Sequence, residues 1–280
     1  MAWLLAAAPL RAQIPADWTT NHAPFRVVGN VYYVGSNDLA VYLLTTPQGN
    51  VLLNANLASS VPQIRQNIEA LGFRLADTKL LLISQAHFDH VGGTAALQRL
   101  TGAKLAVMDP DVSVMESGGR DDFAYHSRPE LQFAPAKVDR TLHDNEQVQL
   151  GGTVLTAHLT AGHTKGTTTW TLDVAEAGRT YHVLIFGGAT ANEGNNLIND
   201  PRYPQQAADF ERTFRTLRTL PCDIFLGTHG VYFQLNEKYP RLQPGSPNPF
   251  FDPDGYRAYV ADREQAFRTE LAKQIAASRK

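Results

Sequence analysis

Apolar positions in the first half of the chain follow two patterns, alternation within short runs and helical spacing within longer ones. Short runs predict strands, and the stripe of Ile64, Ile68 and Leu71 predicts a helix. Turn segments at 29–30 and 47–50 separate neighbouring short runs, so two β-hairpins are predicted. The predicted elements are strands at 26–28, 31–34, 41–45 and 51–53, a helix at 60–71, a strand at 79–83, a helix at 94–100 and a strand at 104–108.

The second half of the chain mixes the same two patterns. It predicts strands at 148–150, 153–159, 167–174 and 181–186, a helix at 210–220, a strand at 223–226 and a terminal helix at 256–277. The polar segments 116–129 and 235–253 predict loops. We therefore predict an α/β fold, an αβ/βα sandwich of two mixed β-sheets with helices on the outer faces, formed by residues 13–280 as a single domain.

The composition is that of a globular enzyme. Hydrophobic residues make up 43% of the 280 residues and charged residues 19%, which is enough apolar material for a sizeable core. The net charge of -2 argues against a nucleic-acid partner, because binding phosphates needs a concentrated basic surface. The single cysteine, Cys222, excludes an intramolecular disulfide; it opens a predicted strand and is expected to be a packed core thiol.

The first ten residues form a short apolar run, and Leu10-Arg11-Ala12 precedes Gln13 in the manner of a cleavage site. The run is shorter than a membrane span and lacks the positive start of a full signal peptide. We interpret residues 1–12 as an export-signal remnant, with a plain disordered start as the alternative. The interpretation predicts a periplasmic or secreted protein.

Export can be tested in the native host. If residues 1–12 are removed as a signal, the mature protein should begin at Gln13 or a residue close to it. Mass spectrometry of the purified protein would locate this N-terminus. An intact Met1 on protein recovered from the cytosol would refute the interpretation.

The segment 80–93 places several metal-type side chains directly after a predicted buried strand. His87, Asp89 and His90 offer imidazole nitrogens and a carboxylate oxygen, donors that suit zinc. The strand fixes the backbone, the loop after it re-aims the side chains, and the Gly-Gly pair that follows permits a tight turn. This arrangement predicts a metal site at the end of the strand.

Two further histidines, His163 and His229, each lie at the end of an apolar strand and follow a Gly or Thr residue. A lone histidine is more often a structural hydrogen-bonding residue than a metal ligand. Here the pattern occurs twice downstream of a third loop with metal-type side chains. Both histidines are therefore predicted to be metal ligands.

The segments QAHFDHVGG, AGHTKGTTTW and LGTHG resemble the ligand motifs of the metallo-β-lactamase superfamily, and the similarity runs from about Val31 to the last helix. Within that superfamily, segments 199–204 and 220–223 resemble the third subclass of class B β-lactamases. The resemblance implies the metallo-β-lactamase fold and two zinc sites. The implied ligands are Gln85, His87 and His163 for the first zinc and Asp89, His90 and His229 for the second.

Gln85 departs from the superfamily, which usually has histidine at this position, although a small branch of the third subclass carries the same glutamine. An amide oxygen is a weaker zinc donor than imidazole. The resemblance therefore implies one or two zinc ions, with a weakened first site. The alternative is that Gln85 only forms hydrogen bonds near the site.

The loop that contains Gly188 is the second departure. Glyoxalase-type and lactonase-type relatives usually place a metal-bridging aspartate near this position, and glycine has no ligand atom. The third subclass often has serines here that hold the substrate carboxylate, whereas this chain has Ala189 and Ala191. The residues predicted to substitute for them in substrate binding are Thr190, Asn192 and Asn195. Asp38, Tyr32 and Phe123 are further candidates for the lining of the groove.

The resemblance implies a zinc-dependent hydrolase that opens the β-lactam ring of antibiotics. Zinc lowers the pKa of bound water to about 7, so a zinc-bound hydroxide would attack the ring carbonyl. Asp89 would orient this hydroxide, and the zinc held by Asp89, His90 and His229 would stabilise the departing nitrogen. Asp89 and His229 are thus the predicted catalytic residues.

Two alternatives remain open. The first is a metallohydrolase of the same fold that acts on a lactone or thioester, which the missing serines favour and Gly188 opposes. The second is a non-catalytic binding protein, which would bind no zinc tightly. The expected partner is a small-molecule substrate, not a nucleic acid or a membrane, and the chain is expected to be a monomer or small homo-oligomer.

Overall fold

The structure is a computed structural model that describes residues 14–192 and 194–279. The export interpretation of residues 1–12 lies outside these ranges. Among the helices within them, none combines the length and the apolar composition that crossing a membrane requires.

The first β-sheet arranges its strands in chain order. Within the described residues they are β1 (Phe25–Val28), β2 (Val31–Tyr33), β3 (Tyr42–Thr46), β4 (Gly49–Leu53), β5 (Thr78–Leu82), β6 (Lys104–Met108) and β7 (Arg140–Leu142). Neighbours are antiparallel from β1 to β4 and parallel from β4 to β7. Both predicted hairpins are confirmed, and Gly29 turns the first one at a φ of 49°.

The second sheet contains the strands of the second half of the chain. They are β8 (Glu146–Leu150), β9 (Thr153–Leu159), β10 (Thr168–Glu176), β11 (Arg179–Phe186) and β12 (Ile224–Gly227), in the order β12-β11-β10-β9-β8. Only the pair β11–β12 is parallel in this sheet, as far as the described residues show. Both sheets are therefore mixed, as predicted.

The described α-helices are α1 (Ala16–Thr19), α2 (Val61–Ala70), α3 (Phe88–Val91), α4 (Thr94–Thr101), α5 (Val112–Ser117), α6 (Gln206–Leu217), α7 (Leu235–Lys238) and α8 (Pro253–Ser278). Short 3-10 turns lie at Ala58–Ser60, Leu75–Asp77, Asp109–Asp111, Pro129–Leu131, Gly230–Phe233 and Tyr239–Arg241. The prediction of a loop over 235–253 is wrong in part, because α7 begins there. The helix has four residues, too few for a helical pattern to repeat.

The two sheets pack against each other through one apolar cluster that contains Leu53 of the first sheet and Trp170 and Ile185 of the second. The same cluster extends to α6 and α8, where the rings of Phe210 and Phe267 lie 5.0 Å apart. A second cluster joins the other face of the first sheet to α2 and α4. Helices thus cover the outer faces of both sheets, which confirms the predicted sandwich.

Hydrogen bonds join the two sheets near the strand ends that precede the candidate metal ligands. The amide of Thr168 donates to the carbonyl of Ser84 at 2.7 Å, and the indole of Trp170 donates to the carbonyl of Ile83 at 3.0 Å. The hydroxyl of Tyr42 donates to the carbonyl of Gly227 at 2.7 Å. These bonds hold the ends of β5 and β12 at one common edge of the sandwich.

Candidate metal centre

Asp89, His90 and His229 converge at this edge. Asp89 and His90 lie on the four-residue helix α3, and His229 follows β12. The Oδ2 atom of Asp89 lies 3.3 Å from Nε2 of His90 and 3.6 Å from Nε2 of His229. One donor atom from each side chain lies within 4.8 Å of the other two. The three predicted residues therefore form a compact cluster that can hold a metal ion.

The protonation states of this cluster suit metal binding. Burial, opposed by the neighbouring Asp89, lowers the pKa of His90 to about 3. Burial alone would raise the pKa of Asp89, but His90 and His229 outweigh it and hold that pKa below its ordinary value. At neutral pH the His90 imidazole is neutral and the Asp89 carboxylate is ionised, which are the forms that bind metal ions.

The buried nitrogens of His90 test whether a metal ion fits this cluster. Neither ring nitrogen hydrogen-bonds to any residue that the structure describes, although the side chain is fully buried. Buried polar atoms normally have a partner, and an atom without one calls for an explanation. A zinc ion accounts for it, because imidazole and carboxylate are its usual donors.

Asp38 fixes the orientation of His229. Its Oδ2 atom accepts a hydrogen bond from Nδ1 of His229 at 2.8 Å and another from the indole of Trp18 at 3.1 Å, while its Oδ1 accepts from the amide of Val231 at 3.1 Å. The proton on Nδ1 leaves Nε2 free on the side of Asp89. Asp38, which the sequence suggested as a candidate for the groove lining, thus holds the ring of His229 in position on the side away from Asp89.

Gln85, His87 and His163 form a second group around Gly188. The rings of His87 and His163 lie 4.9 Å apart. A Cβ atom built on Gly188 would lie 3.6 Å from Cδ2 of His163 and 3.7 Å from Nε2 of Gln85. Gln85 is buried, and its Oε1 atom has no hydrogen-bond partner among the described residues. The structure thus brings the three predicted ligands of the first site together.

Backbone and carboxylate groups orient the two histidines of this group. Nδ1 of His163 donates to the carbonyl of Thr190 at 2.7 Å, and burial together with His87 lowers the pKa of His163 to about 4. Nε2 of His87 lies 3.6 Å from Oδ2 of Asp122. Burial would lower the pKa of His87, but Asp122 outweighs it and raises that pKa. Asp122 was not among the residues singled out from the sequence.

Asp111 ties the two ligand loops together and is also missing from the sequence prediction. The buried carboxylate accepts hydrogen bonds from the amide of Ala86 at 3.0 Å, the hydroxyl of Thr164 at 2.7 Å and the amide of Gly166 at 2.8 Å. A Cβ atom on Gly166 would lie 2.6 Å from Cγ of Asp111, so this close approach requires glycine. The loops before His87 and after His163 therefore share one acceptor.

A cavity of about 810 Å³ opens over both groups. Its apolar wall includes Trp18, Phe88 and Val231, and its polar wall includes the predicted substrate-binding residues Thr190 and Asn192. Asn195 is not part of the lining; its carbonyl accepts a hydrogen bond from Gln274 of α8 at 2.9 Å.

The other sequence candidates are not among the described residues that line the cavity. Tyr32 packs against Phe73, with 5.0 Å between the ring centres, and the ring of Phe123 packs against Tyr203 at 4.8 Å. Cys222 is half-buried beside the core, and burial raises the pKa of its thiol to about 12. These positions fit packing roles.

Comparison with known proteins identifies the family. The model of the metallo-β-lactamase superfamily matches residues 38–229. The chain is 48% identical to the native FEZ-1 metallo-β-lactamase from Legionella gormanii, with a TM-score of 0.90 over 91% of this chain and 97% of that chain. It is 38% identical to the class B3 di-zinc metallo-β-lactamase LRA-12 from an Alaskan soil metagenome, with a TM-score of 0.85 over 91% of this chain and 96% of that chain.

A curated relative, hydroxyacylglutathione hydrolase from Cereibacter sphaeroides, is 27% identical over 220 residues, which are 77% of this chain and 73% of the relative. The segment that the superfamily model matches begins at Asp38 and ends at His229, so it contains both groups of metal-type side chains. With this geometry and these relatives, the chain belongs to the metallo-β-lactamase superfamily.

Proposed function

We propose that this protein is a zinc-dependent β-lactamase, which opens the β-lactam ring of antibiotics by hydrolysis. The observation that carries the proposal is the cluster of Asp89, His90 and His229 beneath an open cavity. The same chain is similar along most of its length to two metallo-β-lactamases, one of which is named as a di-zinc enzyme.

Two zinc sites are proposed. Asp89, His90 and His229 would hold one ion, and Gln85, His87 and His163 would hold the other. The buried nitrogens of His90 and the Oε1 atom of Gln85, which lack partners among the described residues, support this assignment. Zinc bound there would supply a water of lowered pKa, about 7, and would polarise the substrate carbonyl.

The side chains around the cluster would position the reactants. The ionised carboxylate of Asp89 lines the cavity and would accept a hydrogen bond from the attacking water, which orients it toward the carbonyl. Asp38 would keep the ring of His229 in place through the bond to Nδ1. The apolar side chains of Trp18 and Phe88 would exclude bulk water from the bound ring.

A thioester is the second candidate substrate, favoured by the similarity to hydroxyacylglutathione hydrolase. Gly188 opposes it, because this position offers no carboxylate to bridge two metal ions. Values of kcat/KM for a carbapenem, a lactone and a glutathione thioester would decide between them. We expect the carbapenem to give the highest value; a higher value for the thioester or the lactone would overturn the β-lactamase proposal.

Gln85→His should raise the affinity for a second zinc ion, since three imidazoles would then converge on the first site. Zinc titration of wild type and variant measures the change. The matched control is Gln147→His, which adds a histidine at an exposed position of β8. Equal affinity for the second zinc in wild type and Gln85→His would mean that Gln85 is not a metal-site residue.

A further inference from the structure

Tyr125 and Asn192 form a hydrogen-bonded pair in the cavity wall that the proposed metal chemistry does not use. The side-chain amide of Asn192 donates to the phenolic oxygen of Tyr125 at 2.7 Å. Both side chains line the cavity, and they come from separate loops, one after α5 and one after β11. The pair therefore forms only when folding brings these two loops together.

Contacts on two sides hold Tyr125 beside the metal-type residues. Its ring lies 4.8 Å from the ring of His87, measured between centres. Its backbone amide donates to Oδ1 of Asp122 at 2.5 Å, and Oδ2 of the same carboxylate faces His87. The phenol is thus fixed next to the place where the reaction would occur.

The hydrogen bond from Asn192 leaves the hydroxyl proton of Tyr125 free for donation to another group. Because the amide of Asn192 is the donor, the oxygen of Tyr125 is the acceptor and its own proton stays available. The hydroxyl makes no other hydrogen bond to the part of the chain that the structure describes.

The charges of the cavity make such a neutral donor significant. The described lining residues include the acids Asp89 and Glu130 but no lysine or arginine. Bicyclic β-lactams carry a carboxylate next to the lactam nitrogen. Apart from the proposed zinc ions, the described lining therefore offers a carboxylate uncharged hydrogen-bond donors such as the Tyr125 hydroxyl. A hydrogen bond to an ionised acceptor is stronger than one between neutral groups.

We propose that Tyr125 is a specificity-determining residue whose hydroxyl binds the carboxylate of the substrate, with Asn192 holding the phenol in position. The inference rests on the proposed β-lactamase function and adds to it the recognition of an anionic group. The substrate class it selects is the β-lactam with a free carboxylate.

Tyr125→Phe tests this directly, because it keeps the ring against His87 and removes only the hydroxyl. For a cephalosporin with a free carboxylate, we expect KM to rise about tenfold and kcat to stay within about twofold, the pattern of lost uniform binding. For the methyl ester of the same cephalosporin, KM should be equal in variant and wild type. Asn192→Ala should raise KM for the free acid by about threefold, since the phenol loses its support.

Controls separate this inference from the proposed function. Tyr181→Phe removes a phenolic hydroxyl from β11, outside the cavity lining, and should leave KM for both compounds unchanged. Failure of the wild type to hydrolyse any β-lactam would refute the proposed function itself. With an active wild type, an unchanged KM for the free acid in Tyr125→Phe, or an equal rise for acid and ester, would overturn the inference. Zinc content should match wild type, and its loss in Tyr125→Phe would also overturn it.

Discussion

His229→Ala is expected to lower kcat/KM for a carbapenem by about a hundredfold or more, because a catalytic zinc supplies several kcal/mol of transition-state stabilisation. The variant removes one of three donor atoms that lie within 4.8 Å of one another. Asp89→Ala removes another of these donors and also the group proposed to orient the water. Its reduction in kcat/KM should therefore be at least as large as that of His229→Ala. Steady-state kinetics and the zinc content of each protein measure both effects.

A matched control is His182→Ala. His182 is an exposed histidine of β11 that pairs with Asp173 at 2.7 Å, outside the cavity lining. Its loss should leave both turnover and zinc content unchanged. Near-normal turnover of His229→Ala or Asp89→Ala, with zinc still bound, would contradict the assignment of this cluster.

Asp111→Ala is expected to reduce the free energy of unfolding by about 2–5 kcal/mol, because each buried donor left unpaired costs about 1–3 kcal/mol. The amides of Ala86 and Gly166 and the hydroxyl of Thr164 would all lose their acceptor. Burial raises the pKa of Asp111, so holding the carboxylate there has its own cost, which keeps the net loss below the sum of three bonds.

Urea unfolding of the zinc-loaded and the metal-free protein would measure this loss. We also expect weaker zinc binding, since the loops that carry His87 and His163 would no longer share an acceptor. Asp173→Ala, at an exposed position, is the control for removal of a carboxylate. An Asp111→Ala protein with wild-type stability and wild-type zinc affinity would contradict the role given to Asp111.

The gathering of His87, His163 and His229 was predictable from the sequence for a physical reason. Each residue lies just beyond an apolar strand, where the strand fixes the backbone and the following loop can turn the side chain toward a shared site. Each signal is local: a hydrophobic run, a small residue and a metal-type side chain. The structure places all three where this reasoning expects them.

Asp111, Asp122 and Trp18 could not be found in this way. The carboxylate of Asp111 meets partners that lie 25, 53 and 55 residues away in the chain, and Trp18 meets Asp38 across 20 residues. No periodic pattern or short motif marks such contacts, because tertiary packing alone creates them. In the sequence, an acidic residue that caps a helix looks the same as one that connects two loops through hydrogen bonds.

The same limit explains the elements that the sequence did not predict. Strand β7 has three residues, of which one is buried, and α7 has four residues, so neither is long enough for its hydrophobic pattern to repeat several times. Longer elements such as β10 and α6 show several repeats, and both were predicted. Strand β2 is as short as β7, but the turn at 29–30 marks it as one half of a hairpin, so it could be predicted.

The central claim is that zinc, held by the Asp89 cluster and its neighbours, drives hydrolysis of a β-lactam. The most direct test is the rate of carbapenem hydrolysis by the purified protein before and after removal of metal with a chelator, and again after zinc is returned. We expect the chelator to abolish hydrolysis and zinc to restore it. Hydrolysis that continues unchanged in the metal-free protein would contradict the claim.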